Sequence, residues 1–265
     1  MPRAAINGAQ IYFETQGQGP AIVFAHGRGG NHLSWWQQVP AFATEYRCIT
    51  FDHRGWGTST EPAGGPGRKA FVEDLRGLLD HLGVEQAFLV AQSMGGLTCL
   101  GFALAYPQRT LGLVLGDTTG GIGDPAVVEL LRNVHPPTDP LRRSLSAGFI
   151  QRHPDLAFLY RQIGLLNPEM PIEVVSSAFR DPAGPQVRDL ARLTVPTLLI
   201  VGQEDLIFPV NVMQAAQRLI PNSRLEVVPH AAHSTHFEQP QAFNRLVGEF
   251  LAKARAGQAT AAADG

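Results

Sequence analysis

The sequence is poor in cysteine, in charge of one sign and in long apolar runs. Its two cysteines, Cys48 and Cys99, form no CxxC motif and no disulfide framework, and read as reduced thiols in or near a core. Lys and Arg number 21 against 23 Asp and Glu, a net charge of −2 with no block of either sign. That balance argues against a nucleic-acid footprint and against a polybasic membrane patch. No apolar stretch reaches the length of about 20 residues that a bilayer-spanning helix needs. The opening Met1-Pro-Arg-Ala-Ala-Ile-Asn-Gly8 is not followed by the apolar segment of a secretory leader. Repeats and linkers are lacking too. The expectation is a soluble, cytoplasmic protein whose partner is a small molecule selected by a local pocket, with no nucleic acid and no membrane.

What is present is a chain of 265 residues, 44% hydrophobic and 17% charged. That suffices for one large α/β domain or two small ones, with a core that needs neither disulfide nor metal. Short apolar runs alternate with helical periods, the signature of a mostly parallel sheet with helices on both faces. The segment Ala4 to Gln16, with Asn7-Gly8 inside it, reads as a hairpin. Ala21–Ala25, Arg47–Phe51, Ala87–Ala91, Leu111–Leu115, Pro196–Val201 and Arg224–Val228 read as strands. Leu33–Ala43 (bent or ended by Pro40), Lys69–Leu82 (closed by Gly83), Met94–Tyr106, Val210–Leu219 and Gln241–Ala252 read as helices. Between Thr118 and Leu190 prolines multiply and no strong strand appears, although Val127–Val134 and Leu156–Leu165 carry helical patterns. So long a stretch is no plain loop, and it reads as a helical insertion on the sheet. The tail from Ala256 has little to bury and is expected to fray.

Four motifs carry chemistry. In Ala91-Gln92-Ser93-Met94-Gly95-Gly96 a serine stands between a buried strand and a helix with small residues two before and two after it. Such a sharp turn lifts Ser93 Oγ above the sheet and aims a helix N-terminus at the reacting oxygen. Ala91 stands where the usual G-x-S-x-G pattern has its first glycine. The loop His26-Gly27-Arg28-Gly29-Gly30 follows the first central strand. The backbone N–H of Arg28 and that of Met94 would together form an oxyanion hole. His26 is expected to order this loop. Asp205, in Gly202-Gln-Glu-Asp205, follows a buried strand and can reach a histidine on the next loop, better than Glu204 can. That next loop holds His230, His233 and His236. Spacing by three raises a metal site, but no cysteine or carboxylate cluster accompanies it, so one histidine as base to Ser93 is preferred and no metal is expected. His26, Gly27, Arg28, Gln92 and Trp56 are the candidate substrate-binding residues.

From Ile6 to Ala252 the chain resembles the α/β-hydrolase superfamily, through His26-Gly27, Asp52-His-Arg-Gly-Trp-Gly-Thr-Ser59, Ser93-Met-Gly-Gly96, Gly202-Gln-Glu-Asp205, and His233 with Phe237-Glu-Gln-Pro240. The resemblance implies a mostly parallel sheet of about eight strands. The core would comprise 1–118 and 189–254, with a helical cap at 119–188 over the site and a disordered tail at 255–265. It places the catalytic histidine on His233 rather than His230 or His236, and it makes Asp117 a reserve position for the acid. The implied triad is Ser93 as nucleophile, His233 as base and Asp205 as its orienting acid, with no cofactor. A serine nucleophile argues against epoxide and haloalkane hydrolysis. The motifs look most like small esterases, enol-lactone hydrolases and cofactor-free haloperoxidases. Carbon–carbon bond hydrolases share Ser-Met-Gly-Gly but usually carry Gly-Asn where this chain has Ala91-Gln92. Ligand receptors and cofactor-free oxygenases with the same triad are the non-hydrolytic alternatives. The Arg28 side chain is a candidate for holding a substrate carboxylate, weighed against an ordinary salt bridge or solvated arginine.

Overall fold

Asn7 (φ 48°) and Gly8 (φ 78°) both take left-handed backbone, which twists a two-residue turn to suit antiparallel strands. They join β1 (Arg3–Ile6) to β2 (Ala9–Gln16) in a computed structural model that describes residues 2–169 and 173–263. β2 then pairs antiparallel with β4 (Arg47–Phe51). All further pairings are parallel, through β3 (Ala21–Ala25), β5 (Ala87–Gln92), β6 (Thr110–Gly116), β7 (Thr197–Gly202) and β8 (Ser223–Val228). The eight strands lie in the order β1-β2-β4-β3-β5-β6-β7-β8. This is the mostly parallel, eight-stranded sheet that the resemblance implied.

The central strands are apolar without interruption because both faces are covered. Val23, Leu89, Leu113 and Leu199 pack on one side, with α2 (Phe71–His81), α3 (Gly95–Ala105) and α10 (Val210–Leu219). Phe24, Val90, Val114 and Leu198 pack on the other, with α1 (Val39–Phe42) and α12 (Pro240–Ala263). Cys48 and Cys99 are free and buried, and burial pushes the Cys48 thiol up to about 12.

Between β6 and β7 the chain forms α4 (Pro125–Arg132), α5 (Pro140–Ser144), α6 (Ala147–Arg152), α7 (Pro154–Leu165), α8 (Glu173–Phe179) and α9 (Val187–Leu190), with no strand among the described residues. Prolines open α4, α5 and α7 at their first turn, where a missing N–H costs nothing.

The structure departs from the sequence expectation in three elements. The helix expected over Leu33–Ala43 is split: Asn31 caps a 3-10 turn at His32–Trp35, and Pro40 sits in the first turn of the separate α1. The helix expected from Lys69 begins at Phe71, after a 3-10 turn at Gly67–Ala70. The closing helix expected over Gln241–Ala252 runs from Pro240 to Ala263, extended by an alanine-rich segment of high helix propensity. Residues 264 and 265 lie outside those described.

β3 and β5 are neighbours, yet the chain leaves β3 for β4 on one side and returns to β5 on the other. Such a reversal leaves a crevice at the carboxyl ends of the two strands. The loops that begin at His26 and Ser93 meet there. The loops after β6, β7 and β8 open on the same edge.

Candidate active site

Ser93 has φ 48°, a conformation that costs a non-glycine residue on the order of 1–3 kcal/mol. Its N–H donates to Gly116 O (3.0 Å), which ties the turn to β6. The turn can be this tight because Gly95 has no Cβ, which would overlap the Ala25 carbonyl oxygen. Ala91 is accommodated as an ordinary buried strand residue, in register with Ala25 and Leu115. Met94 is the N-cap of α3, so its N–H lacks a carbonyl partner within the helix.

His233 lies five residues beyond the end of β8. Its Nε2 is 2.9 Å from Ser93 Oγ and its Nδ1 is 3.0 Å from Asp205 Oδ2. The carboxylate can only accept at Nδ1, so that nitrogen carries the proton and Nε2 accepts from the serine hydroxyl. Asp205 Oδ1 accepts the Ile207 and Phe208 N–H groups (2.7 and 3.0 Å), which fixes the carboxylate plane. The Phe208 ring stacks on the imidazole at 5.8 Å.

The other histidines of that loop stand apart. His230 is exposed, with φ 58°. His236 is buried against Trp35 at 4.7 Å, and neither ring nitrogen bonds to the protein. Burial and the nearby His233 lower its pKa to about 3. Asp117, the reserve acid, does not meet His233. Its Oδ1 accepts from Gly202 N–H (3.0 Å) and Thr235 O–H (2.8 Å), and its Oδ2 from Thr235 N–H (3.1 Å). It therefore clamps the Asp205 loop to the histidine loop. Burial and the Asp205 charge raise its pKa well above the ordinary range.

A cavity of about 1530 Å³ opens above Ser93 and His233, between the sheet edge and the helical insertion. Arg28, Trp56 and Gln92, of the five candidate substrate-binding residues, line it. His26 and Gly27 do not, and here the sequence expectation is corrected. His26 is fully buried: Nδ1 donates to Gly27 O (2.8 Å) and Nε2 accepts His53 N–H (3.0 Å). Burial lowers its pKa to about 4, so it is neutral and orders the loop. Gly27 packs tightly against Gln92 and Ser93; a Cβ there would lie 3.1 Å from Ser93 Cβ.

Several supporting contacts carried no signal in the sequence, even where their residues did. Gln92 Nε2 donates to His233 O (2.8 Å), and Trp56 Nε1 donates to Arg28 O (2.8 Å). The Trp56 ring packs edge-on against Phe71 at 5.8 Å, and Arg54 in the same loop forks onto Asp74 of α2 at 2.5 and 2.6 Å. Glu238 accepts Ala232 N–H (2.7 Å) and Ser146 N–H (2.9 Å), joining the histidine loop to α6. Asn31 donates to Ile163 O (2.8 Å), and Asn167 accepts from Gly57 N–H (3.0 Å) and donates to Gly30 O (3.1 Å). The Phe-Glu-Gln-Pro segment was visible as a motif, but a backbone acceptor that reaches another part of the chain has no local pattern. Among the described residues no cluster of His, Cys, Asp and Glu is arranged to hold a metal ion, and no helix is long and apolar enough to cross a membrane.

A family model described as alpha/beta hydrolase fold matches residues 20–168 and 160–240. The chain is 32% identical to 3-oxoadipate enol-lactonase 2 of Acinetobacter baylyi, over 89% of this chain and 91% of that protein. It is 30% identical to a 2-hydroxy-6-oxononadienedioate/2-hydroxy-6-oxononatrienedioate hydrolase of Paraburkholderia xenovorans, over 92% of this chain and 91% of that protein. A thermophilic esterase from Thermogutta terrifontis superposes with a TM-score of 0.79 at 31% identity, covering 96% of this chain and 99% of that one.

Proposed function

The chain belongs to the family with the alpha/beta hydrolase fold, and from that membership we propose that it is a serine hydrolase cleaving a small ester or lactone through an acyl-enzyme on Ser93. The observation that carries the reading is the continuous relay from Asp205 through His233 to Ser93, with both bonds at hydrogen-bond distance on the floor of a large cavity. His233 takes the Ser93 proton as Oγ attacks the carbonyl carbon, and Asp205 stabilises the imidazolium. The N–H groups of Arg28 and Met94 receive the negative charge that develops on the carbonyl oxygen. His233 then protonates the leaving alcohol. Water, deprotonated by the same imidazole, releases the acid. The helical insertion acts as a cap that shapes the cavity.

Hydrolysis of 4-nitrophenyl esters of graded chain length by the wild type and by Ser93→Ala tests this. The expected result is turnover in the wild type, lost by at least about a thousandfold in the variant. Turnover that survives in Ser93→Ala would sink the reading. A second reading, cleavage of a carbon–carbon bond beside a ketone, is favoured by the relative from Paraburkholderia xenovorans. It predicts consumption of vinylogous 1,5-diketones faster than of any ester.

A further inference from the structure

β8 is the last strand of the sheet, and among the described residues no strand pairs with its far side. Thr197 N–H donates to Asn222 O (3.3 Å) and Gln203 N–H to Val228 O (2.9 Å), so the even-numbered residues of β8 turn their backbone toward β7. Ser223, Leu225 and Val227 therefore turn N–H and C=O outward. Gln217 Nε2 reaches Ser223 O (3.2 Å), while among the described residues nothing bonds to the outward groups of Leu225 and Val227. Edge strands are usually blunted by proline, lysine or a bulge. The run Ser-Arg-Leu-Glu-Val-Val has neither residue, and its register with β7 is unbroken. Val227 is exposed, and Leu225 is only partly covered by the core. On the opposite face Arg224 meets Glu226 of its own strand at 3.2 Å, with both side chains partly open to solvent.

An antiparallel partner must set outward residues against outward residues, so that each pair exchanges two N–H···O bonds. When the partner is a second copy of this chain, a two-fold axis passes through one residue of β8. Centred on Arg224, the pairing sets Arg224 against its own copy. Centred on Glu226, it sets Glu226 against its own copy. Both place like charges face to face, which is unfavourable. Centres nearer either end pair little of the strand. Centred on Leu225, the pairing sets Leu225 against Leu225, Ser223 against Val227, and Arg224 against Glu226 on both sides of the axis. Those ionic pairs fall at the closely spaced positions without backbone bonds, where side chains touch. We propose that β8 is an interface with a second copy of this chain, an antiparallel edge-to-edge pairing centred on Leu225 that joins two sheets into one. Charges on an edge turn other strands away. Here they complement themselves in a single register. The pairing also braces the strand from which the His233 loop springs.

Sedimentation velocity over a concentration series tests this with the wild type, Arg224→Glu, Glu226→Arg and the exchange Arg224→Glu/Glu226→Arg. The wild type is expected to pass from monomer to dimer as concentration rises. Each single reversal sets like charges opposite on both sides of the axis and should weaken the dimer by at least about tenfold. The exchange variant should recover it. An equimolar mixture of the two single variants should also dimerise, because one edge then offers two acids and the other two bases. A wild type that stays monomeric up to about 1 mM overturns the pairing. So does a dimer unmoved by both reversals, which would seat the second copy elsewhere, and so does a mixture that stays monomeric although each variant is folded by circular dichroism. Should a reversal fail to fold, hydrogen exchange of the wild type at low and high concentration decides. Protection of 223–228 that rises with concentration supports the pairing, and protection that does not rise overturns it.

Discussion

Each of the three relay residues is held by a neighbour that takes no part in proton transfer. Gln92 is the clearest case, because its amide is spent on the His233 carbonyl while its backbone leads into the nucleophile turn. Removing that donor leaves a buried acceptor unsatisfied, a cost of about 1–3 kcal/mol. If the strain is taken up by the imidazole, Gln92→Leu lowers kcat by roughly tenfold to a hundredfold. Steady-state kinetics, scaled to active sites titrated with an organophosphate, check this; an unchanged kcat would mean that Asp205 alone orients the ring. Asp117 holds the relay from below. A carboxyl with a raised folded pKa binds its proton more tightly folded than unfolded. Its contribution to stability is therefore full below the ordinary value of 3.8 and is lost as pH rises through the folded value. In Asp117→Asn that decline disappears, which urea unfolding at a series of pH values measures.

At the scale of elements, the insertion is tied to the sheet edge by a few directed bonds. Asn167, just after α7, bridges the Gly30 and Gly57 backbones. Asn167→Ala should increase hydrogen exchange across 139–169 and around Gly30 while the central strands keep their protection. Equal loss of protection everywhere would show that insertion and sheet open as one unit. The elements differ in how far their sequences announced them. β3 and β4 were legible to the residue, since a short apolar run between turn signals has few other uses. The stretch from His32 to Phe42 was not, because its apolar spacing suits a single helix and only the Asn31 cap and Pro40 divide it. Ser93 and Asp205 were legible from local chemistry, as each follows a strand. His233 could be separated from His230 and His236 only by resemblance, since all three share one loop and differ in where the fold points them. His26 and Gly27 were assigned to substrate because the sequence places them beside the nucleophile, but it does not say which side of a backbone faces a cavity.

Across the whole molecule, burial holds His26, His53 and His236 neutral. Burial lowers His26 to about 4 and His236 to about 3, and lowers His53 well below the ordinary 6.5. Groups with depressed folded values contribute stability that is full above pH 6.5 and is lost as pH falls through the folded values. Each adds a slope of up to about 1.4 kcal/mol per pH unit, so the protein should weaken steeply in mild acid. In His236→Phe, which keeps the packing on Trp35 without a titrating ring, the slope below pH 6.5 should become shallower. A slope unchanged by that variant would place acid sensitivity elsewhere. The way the two parts of the chain are joined also has a bearing on descent. Two of the ties from core side chains grip the insertion by its main chain: Glu238 takes the N–H of Ser146, and Asn31 gives its amide to the carbonyl of Ile163. A main-chain atom is the same whatever residue bears it. Those two joints therefore place no demand on the insertion's side chains, which can drift and acquire new preferences while the triad and the sheet beneath it are inherited intact.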